Sequence, residues 1–129
     1  MPVYYFKEGK HDVPELLIDE ENSYVRIAGS SYPEDVIEIY GDFLLDLSSL
    51  TIAQGKEFVC DFRFDILSST TMRILHEIFT LFENFLDRGN LITVNWFYDS
   101  EDEDMKDIGL TFAEILNLNI NVISKDIVY

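Results

Sequence analysis

One cysteine in 129 residues, Cys60, leaves no internal disulfide framework and fits a reducing compartment, the cytoplasm. Cations are scarce as well. Nine Lys and Arg face 25 Asp and Glu, a formal net charge of −16. Such a surface has little with which to neutralise phosphates, which argues against nucleic acid and anionic membranes as partners. A basic protein partner or simple solubility fits the charge. Uninterrupted apolar runs are only a few residues long, far short of a membrane span. The start, Met1-Pro2-Val3-Tyr4-Tyr5-Phe6-Lys7, has no basic stretch followed by an apolar one, so no signal peptide is expected. None of the six glycines builds a phosphate-cradling loop, and His11 and His76 are far apart. With no CxxC or HxxxH spacing, neither a transition-metal site nor a cofactor is expected.

What the chain does have is a 47 % hydrophobic composition, enough for the core of one domain over residues 1–129. Val3 to Lys7 alternates weakly, as an edge strand does. Residues 15–19 and 24–29 flank the turn residues Glu20-Glu21-Asn22-Ser23 and read as a hairpin. Ser31 and Glu34, three apart with Pro33 between them, have the spacing of a capping box. The helix that follows carries Val36, Ile39, Tyr40, Phe43 and Leu47 on one stripe, with acids opposite. Leu45 falls on the acidic side, either as an isolated exposed leucine or as a partner contact. A connector spans residues 48–55.

From Lys56 to Asp65 the alternation is clean. Phe58, Cys60, Phe62 and Phe64 share one face; Val59, Asp61, Arg63 and Asp65 share the other. A strand covered on both sides would be apolar throughout, so helices are expected mainly on one face of the sheet. Met72 to Arg88 is the strongest helix, its apolar positions covering about half the circumference, wider than one sheet face requires. Gly89 stops it. A strand at 91–98, an acidic loop at 99–104, a helix with Met105, Ile108, Gly109, Phe112 and Leu116 buried, a strand at 120–123 and a tail to Tyr129 complete the chain. The order β-β-β-α-β-α-β-α-β reads as α+β, or α/β-like, with a mixed sheet.

The stretch with most chemistry is Ser68-Ser69-Thr70-Thr71, four hydroxyl residues between a strand and the strongest helix. One or two would serve as caps for the orphan N–H groups of the first turn. The spare hydroxyls sit at the positive end of a helix dipole, where a reversible phosphate is tolerated. Catalytic alternatives find little support. A Ser69 nucleophile needs a base that no motif supplies. Cys60 among phenylalanines reads as a small buried hydrophobe, and residues 99–104 lack the glycine and closing glutamate of a calcium loop. Three classes follow: a phospho-switched binding module, a small acidic ligand-binding domain or enzyme, and a constitutive scaffold whose hydroxyls only cap a helix. A deep pocket lined by convergent titratable groups would favour the second.

Three sets of residues carry a family resemblance: Gly29-Ser30-Ser31-Tyr32-Pro33-Glu34; Asp61-Phe62-Arg63-Phe64 leading into Ser68-Ser69-Thr70-Thr71; and Asn95-Trp96-Phe97-Tyr98-Asp99 with Asp102-Glu103-Asp104-Met105. Across residues 24–117 the chain resembles the SiaC-like regulatory phosphoproteins. The resemblance implies a STAS-like fold, similar to the anti-sigma factor antagonists, and a non-enzymatic signalling role in bacteria. The family pattern Asn-Thr-Ser-Ser falls on Ser68 to Thr71, so the phosphoacceptor maps onto Ser69, with Ser68 and Thr70 as fallback positions. It implies a dedicated Ser/Thr kinase, a PP2C-type phosphatase and an effector, a diguanylate cyclase of cyclic-di-GMP signalling, bound by the unmodified form. Tyr32, Glu34, Thr70 and Thr71 are the expected partner contacts.

Overall fold

The computed structural model describes residues 2–50 and 54–125. Its elements run β1 (Tyr4–Lys7), β2 (Glu15–Asp19), β3 (Tyr24–Ser31), α1 (Val36–Leu50), β4 (Glu57–Leu67), α2 (Ser69–Asp87), β5 (Leu91–Tyr98), α3 (Glu103–Ile115) and β6 (Asn119–Ser124), the order the sequence predicts. The connector expected from residue 48 starts later, because α1 runs to Leu50; residues 51–53 and the tail from 126 lie outside the described residues.

The six strands lie side by side in chain order. β1 to β3 pair antiparallel, and β3 to β6 pair parallel. Parallel crossovers are almost always right-handed. Because the strand order advances without reversing, crossovers of one hand put α1, α2 and α3 on the same face. A doubly wound sheet reverses direction and opens a ligand crevice at the reversal; this sheet has no such reversal.

The covered face is built from aromatics. Phe62 packs on Phe79 of α2 at 5.5 Å between ring centroids, and Phe58 on Phe85 at 5.3 Å. Phe112 of α3 meets Phe79 at 4.8 Å and Trp96 at 5.6 Å. Each such pair adds about 0.5–1.5 kcal/mol beyond its buried area. The wide apolar arc of α2 thereby finds its cover, with α3 on one flank and α1 on the other. The helix ends at Gly89, whose φ of +86° only glycine adopts cheaply. The Gly89 N–H there donates to the Leu86 carbonyl at 2.9 Å.

The opposite face is open and carries a polar ladder. Tyr24 donates its hydroxyl to Asp61 at 2.6 Å, the Asn95 amide donates to the same carboxylate at 3.0 Å, and Asn121 donates to Asn95 at 3.1 Å. These residues are register partners or neighbours across β3, β4, β5 and β6. The strand-4 alternation holds throughout, except that Asp61 is only 8 % exposed because its cross-strand donors cover it. Cys60 is fully buried and burial pushes its thiol well above the usual range, which keeps it protonated and unreactive. No described helix is long and apolar enough to cross a membrane.

Candidate functional site

The four-hydroxyl stretch lies where β4 hands over to α2. A register shift between β3 and β4 sets up the junction: Gly29 pairs with Phe64, but Ser30 pairs with Ile66, leaving Asp65 as the extra residue. The bulge resets the alternation. Ile66 stays outside at 52 % exposure, while Leu67 turns back to the core. Gly29, at a φ of +108°, takes the matching bend in β3. Ser68 is thereby delivered beside Ser31, whose carbonyl accepts its N–H at 2.9 Å.

Ser68 is the N-cap of α2. Its backbone is extended, and its Oγ accepts the Thr71 N–H at 3.1 Å. The helix therefore begins at Ser69, three residues before the apolar stripe starts, and Ser69, Thr70 and Thr71 occupy its first turn. They differ sharply in environment. Thr71 is fully buried. Its hydroxyl donates to the Ser31 carbonyl at 3.1 Å and accepts from Ser68 Oγ at 3.0 Å. With the Thr71 proton committed, Ser31 Oγ is the donor across the 2.9 Å contact to Thr71, and the Tyr40 hydroxyl donates to Ser31 at 2.7 Å. On the outer side, Thr70 donates to Ser68 Oγ at 3.1 Å. One relay of hydroxyls thus links α1, β3 and α2. Burial holds the Tyr40 phenol well above the ordinary tyrosine range, so it remains a neutral donor. No hydrogen bond among the described residues uses the Ser69 hydroxyl, and Ser69 is exposed.

Two expectations are corrected here. Thr71 is not a partner contact, because its hydroxyl closes an internal network that no partner reaches. Ser31 and Glu34 do not form a capping box. Ser31 is the last, buried residue of β3, held there by pairing with Leu67. The cap of α1 is Asp35, whose carboxylate accepts the Ile37 N–H at 3.1 Å and the Glu38 N–H at 3.2 Å. Glu34 is thereby left exposed, beside Tyr32 at 42 % exposure. Tyr32 is tied down through its backbone, donating to the Asp12 carbonyl at 2.9 Å. The Ser31–Tyr40–Thr71 relay leaves no mark in the sequence, where a serine and a tyrosine nine apart carry no signal of contact.

The relay makes a stability prediction. Thr71→Val keeps the shape but removes the acceptor for Ser31 and Ser68 and the donor for the Ser31 carbonyl. Urea unfolding should show a loss of about 1–3 kcal/mol, with Thr71→Ser recovering most of it. Ser69→Ala, which breaks no hydrogen bond, should stay within about 0.5 kcal/mol of the parent.

The end of the sheet at which α2 starts is rimmed by acids. One cleft there is lined by Asp65, Asp99, Glu101 and Asp102, with Lys125 bound to Asp65 at 3.0 Å. Another is lined by Asp12, Glu34, Asp35 and Glu38. No group of three or more His, Cys, Asp or Glu among the described residues is arranged to hold a metal ion.

The fold is thus a mixed sheet with its three helices on one face and an exposed serine hydroxyl, unbonded among the described residues, on the first turn of the middle helix. The chain belongs to the SiaC family: the model described as SiaC family regulatory phosphoprotein matches residues 7–125, a wider span than the motif resemblance covers. An uncharacterised protein of Pseudomonas aeruginosa (strain UCBPP-PA14) is 24 % identical over 107 residues, covering 82 % of this chain and 84 % of the relative. Solved structures share the fold. A chain in the crystal structure of diguanylate cyclase SiaD in complex with its activator SiaC, from Pseudomonas aeruginosa, matches with a TM-score of 0.85 at 19 % identity, covering 93 % of this chain and 98 % of that one. Apo-SiaC from the same organism matches with a TM-score of 0.82 at 18 % identity, covering 94 % and 98 %.

Proposed function

We propose that this chain is a signalling switch whose unmodified form binds and stimulates a diguanylate cyclase, and whose phosphorylation at Ser69 releases it. The observation that carries the acceptor assignment is the division of labour at the junction. Ser68 and Thr71 are committed to the cap and the relay, Thr70 donates to the cap, and Ser69 alone of the four is exposed with no hydrogen bond among the described residues. A phosphate on Ser69 would meet the helix dipole and Arg73, an exposed base one turn further along α2. The fold therefore carries the modification without rearranging. The kinase and the PP2C-type phosphatase of the family resemblance would both act on this turn, with Tyr32, Glu34 and Thr70 as the surrounding contacts. The P. aeruginosa complex, in which SiaC is the activator of SiaD, supports the choice of effector.

The test uses the diguanylate cyclase of the same host. Unmodified protein should raise its turnover several-fold, protein phosphorylated to completion should not, and phosphatase treatment should restore the effect. Tyr32→Ala should weaken both stimulation and phosphorylation while the chain stays folded. Equal stimulation by both forms would overturn the switch.

A further inference from the structure

The outer side of α1 carries apolar side chains that the core does not use. Ile37 is 76 % exposed and Leu45 70 % exposed. With Gly41 between them they lie four residues apart, on one side of the helix. Leu44 and Leu81, partly buried, floor the groove that α1 forms with α2, and Glu77 faces it from α2. Gly41 leaves a notch: a side chain there would meet nothing within 4 Å. The strip from Ile37 to Leu45 is about 12 Å long at the helical rise, the span of two turns of a docked helix. Glu77 is the charged residue in the groove's lining; Arg73 lies one turn before it on α2, and Glu34, Asp35 and Glu38 line a separate acidic cleft at the start of α1.

We infer that the α1–α2 groove receives an amphipathic helix of the partner protein, with an apolar stripe flanked by Lys or Arg. This rests on the reading of the chain as a partner-binding module and deepens it. Charge chooses the occupant. Glu77 in the groove, the acidic cleft at the start of α1 and the net charge of −16 favour a basic segment. A second copy of the chain or an anionic lipid surface would bring like charge against like. Apolar anchors at i, i+3 or i+4 and i+7 fit such a groove. Ser69 and Thr70 open the same α2 helix, about two turns before Glu77, so a phosphate there would stand on the helix that forms one wall of the groove.

The test places the photo-crosslinker p-benzoylphenylalanine at position 37 or 45 of the full chain in its host, with controls at Val59 and Leu91, which are exposed on the open sheet face. Adducts from positions 37 and 45 should exceed the controls about tenfold or more, as expected for residues at the centre of an interface. Peptide mass spectrometry should map them to a segment with that apolar spacing and flanking Lys or Arg. Combining Glu38→Lys with Glu77→Lys should lower their yield by about tenfold. Adducts to a second copy, to lipid or to an acidic segment would overturn the proposal, as would adducts from the sheet face alone. If the groove yields no adduct while the cyclase is still stimulated, the groove is wrong and the switch stands. If adducts persist undiminished in Ser69→Asp, the groove stands and phosphate control is wrong.

Discussion

Ser69→Asp is expected to weaken effector binding by about a hundredfold, and Ser69→Ala to bind at full strength while resisting the kinase. An interface packed against a bare hydroxyl must strip water from any charge placed there. Leaving a charge buried without a partner costs about 3–5 kcal/mol, and each 1.4 kcal/mol is about tenfold in affinity. The aspartate carries one charge where a phosphate brings about −1.5 to −2, so its effect should sit at the lower end and the phosphoprotein should bind more weakly still. Added salt should rescue little, because the penalty comes from desolvation at contact range rather than from the screened field of the whole chain. Thr70→Asp separates position from charge. Thr70 is exposed too, but its hydroxyl donates to the Ser68 cap, so this variant should lose some stability as well as affinity. Isothermal titration of the cyclase with each variant, beside urea unfolding, distinguishes the two. Undiminished binding by Ser69→Asp would contradict local occlusion.

The second large effect concerns the fold. Gly109→Ala is expected to destabilise the protein by on the order of 3 kcal/mol, with a drop in Tm of about 10 °C. A Cβ at this position would run into Cδ1 of Trp96 and lie 2.9 Å from its Nε1. Trp96 has no room to yield. It is fully buried against Phe62, Phe64 and Phe112, and its indole N–H donates to the Met105 carbonyl at 3.0 Å. Either α3 lifts off the sheet or the indole turns and loses its acceptor. Gly41→Ala is the control: in mid-helix with open space at its Cβ, it should stabilise by about 0.5–1 kcal/mol. Scanning calorimetry should give opposite signs for the same chemical change. Equal effects would mean that α3 does not sit on the Trp96 ring.

The elements that periodicity controls are legible in the sequence. Phe58, Cys60, Phe62 and Phe64 alternate because the sheet buries one face, and α2 shows a wide apolar arc because α1 and α3 flank it. Gly109 falls in the expected buried stripe, although the reason it is glycine lies 13 residues earlier, at Trp96. The junction was legible only in part. Ser68, Ser69, Thr70 and Thr71 are alike as letters, and what sorts them is a bulge at Asp65 and the position of Ser31, both consequences of strand pairing. Ser31 itself misled because its spacing to Glu34 imitates a cap, while the pairing with Leu67 keeps it in the strand and gives the cap to Asp35. Asp61 looked solvent-facing for the same reason: Tyr24 and Asn95 reach it from neighbouring strands, and a single strand's alternation carries no record of its neighbours.

The most direct test of the central claim is to purify the chain from its own host, with phosphatases blocked, and locate any phosphate by fragment-resolved mass spectrometry. The account predicts one phosphate, on Ser69, removed by a PP2C-type phosphatase, with Thr71 never modified because it is buried. An unmodified chain under every growth condition, or phosphate confined to another position, would contradict it and return these four hydroxyls to the plain work of starting a helix.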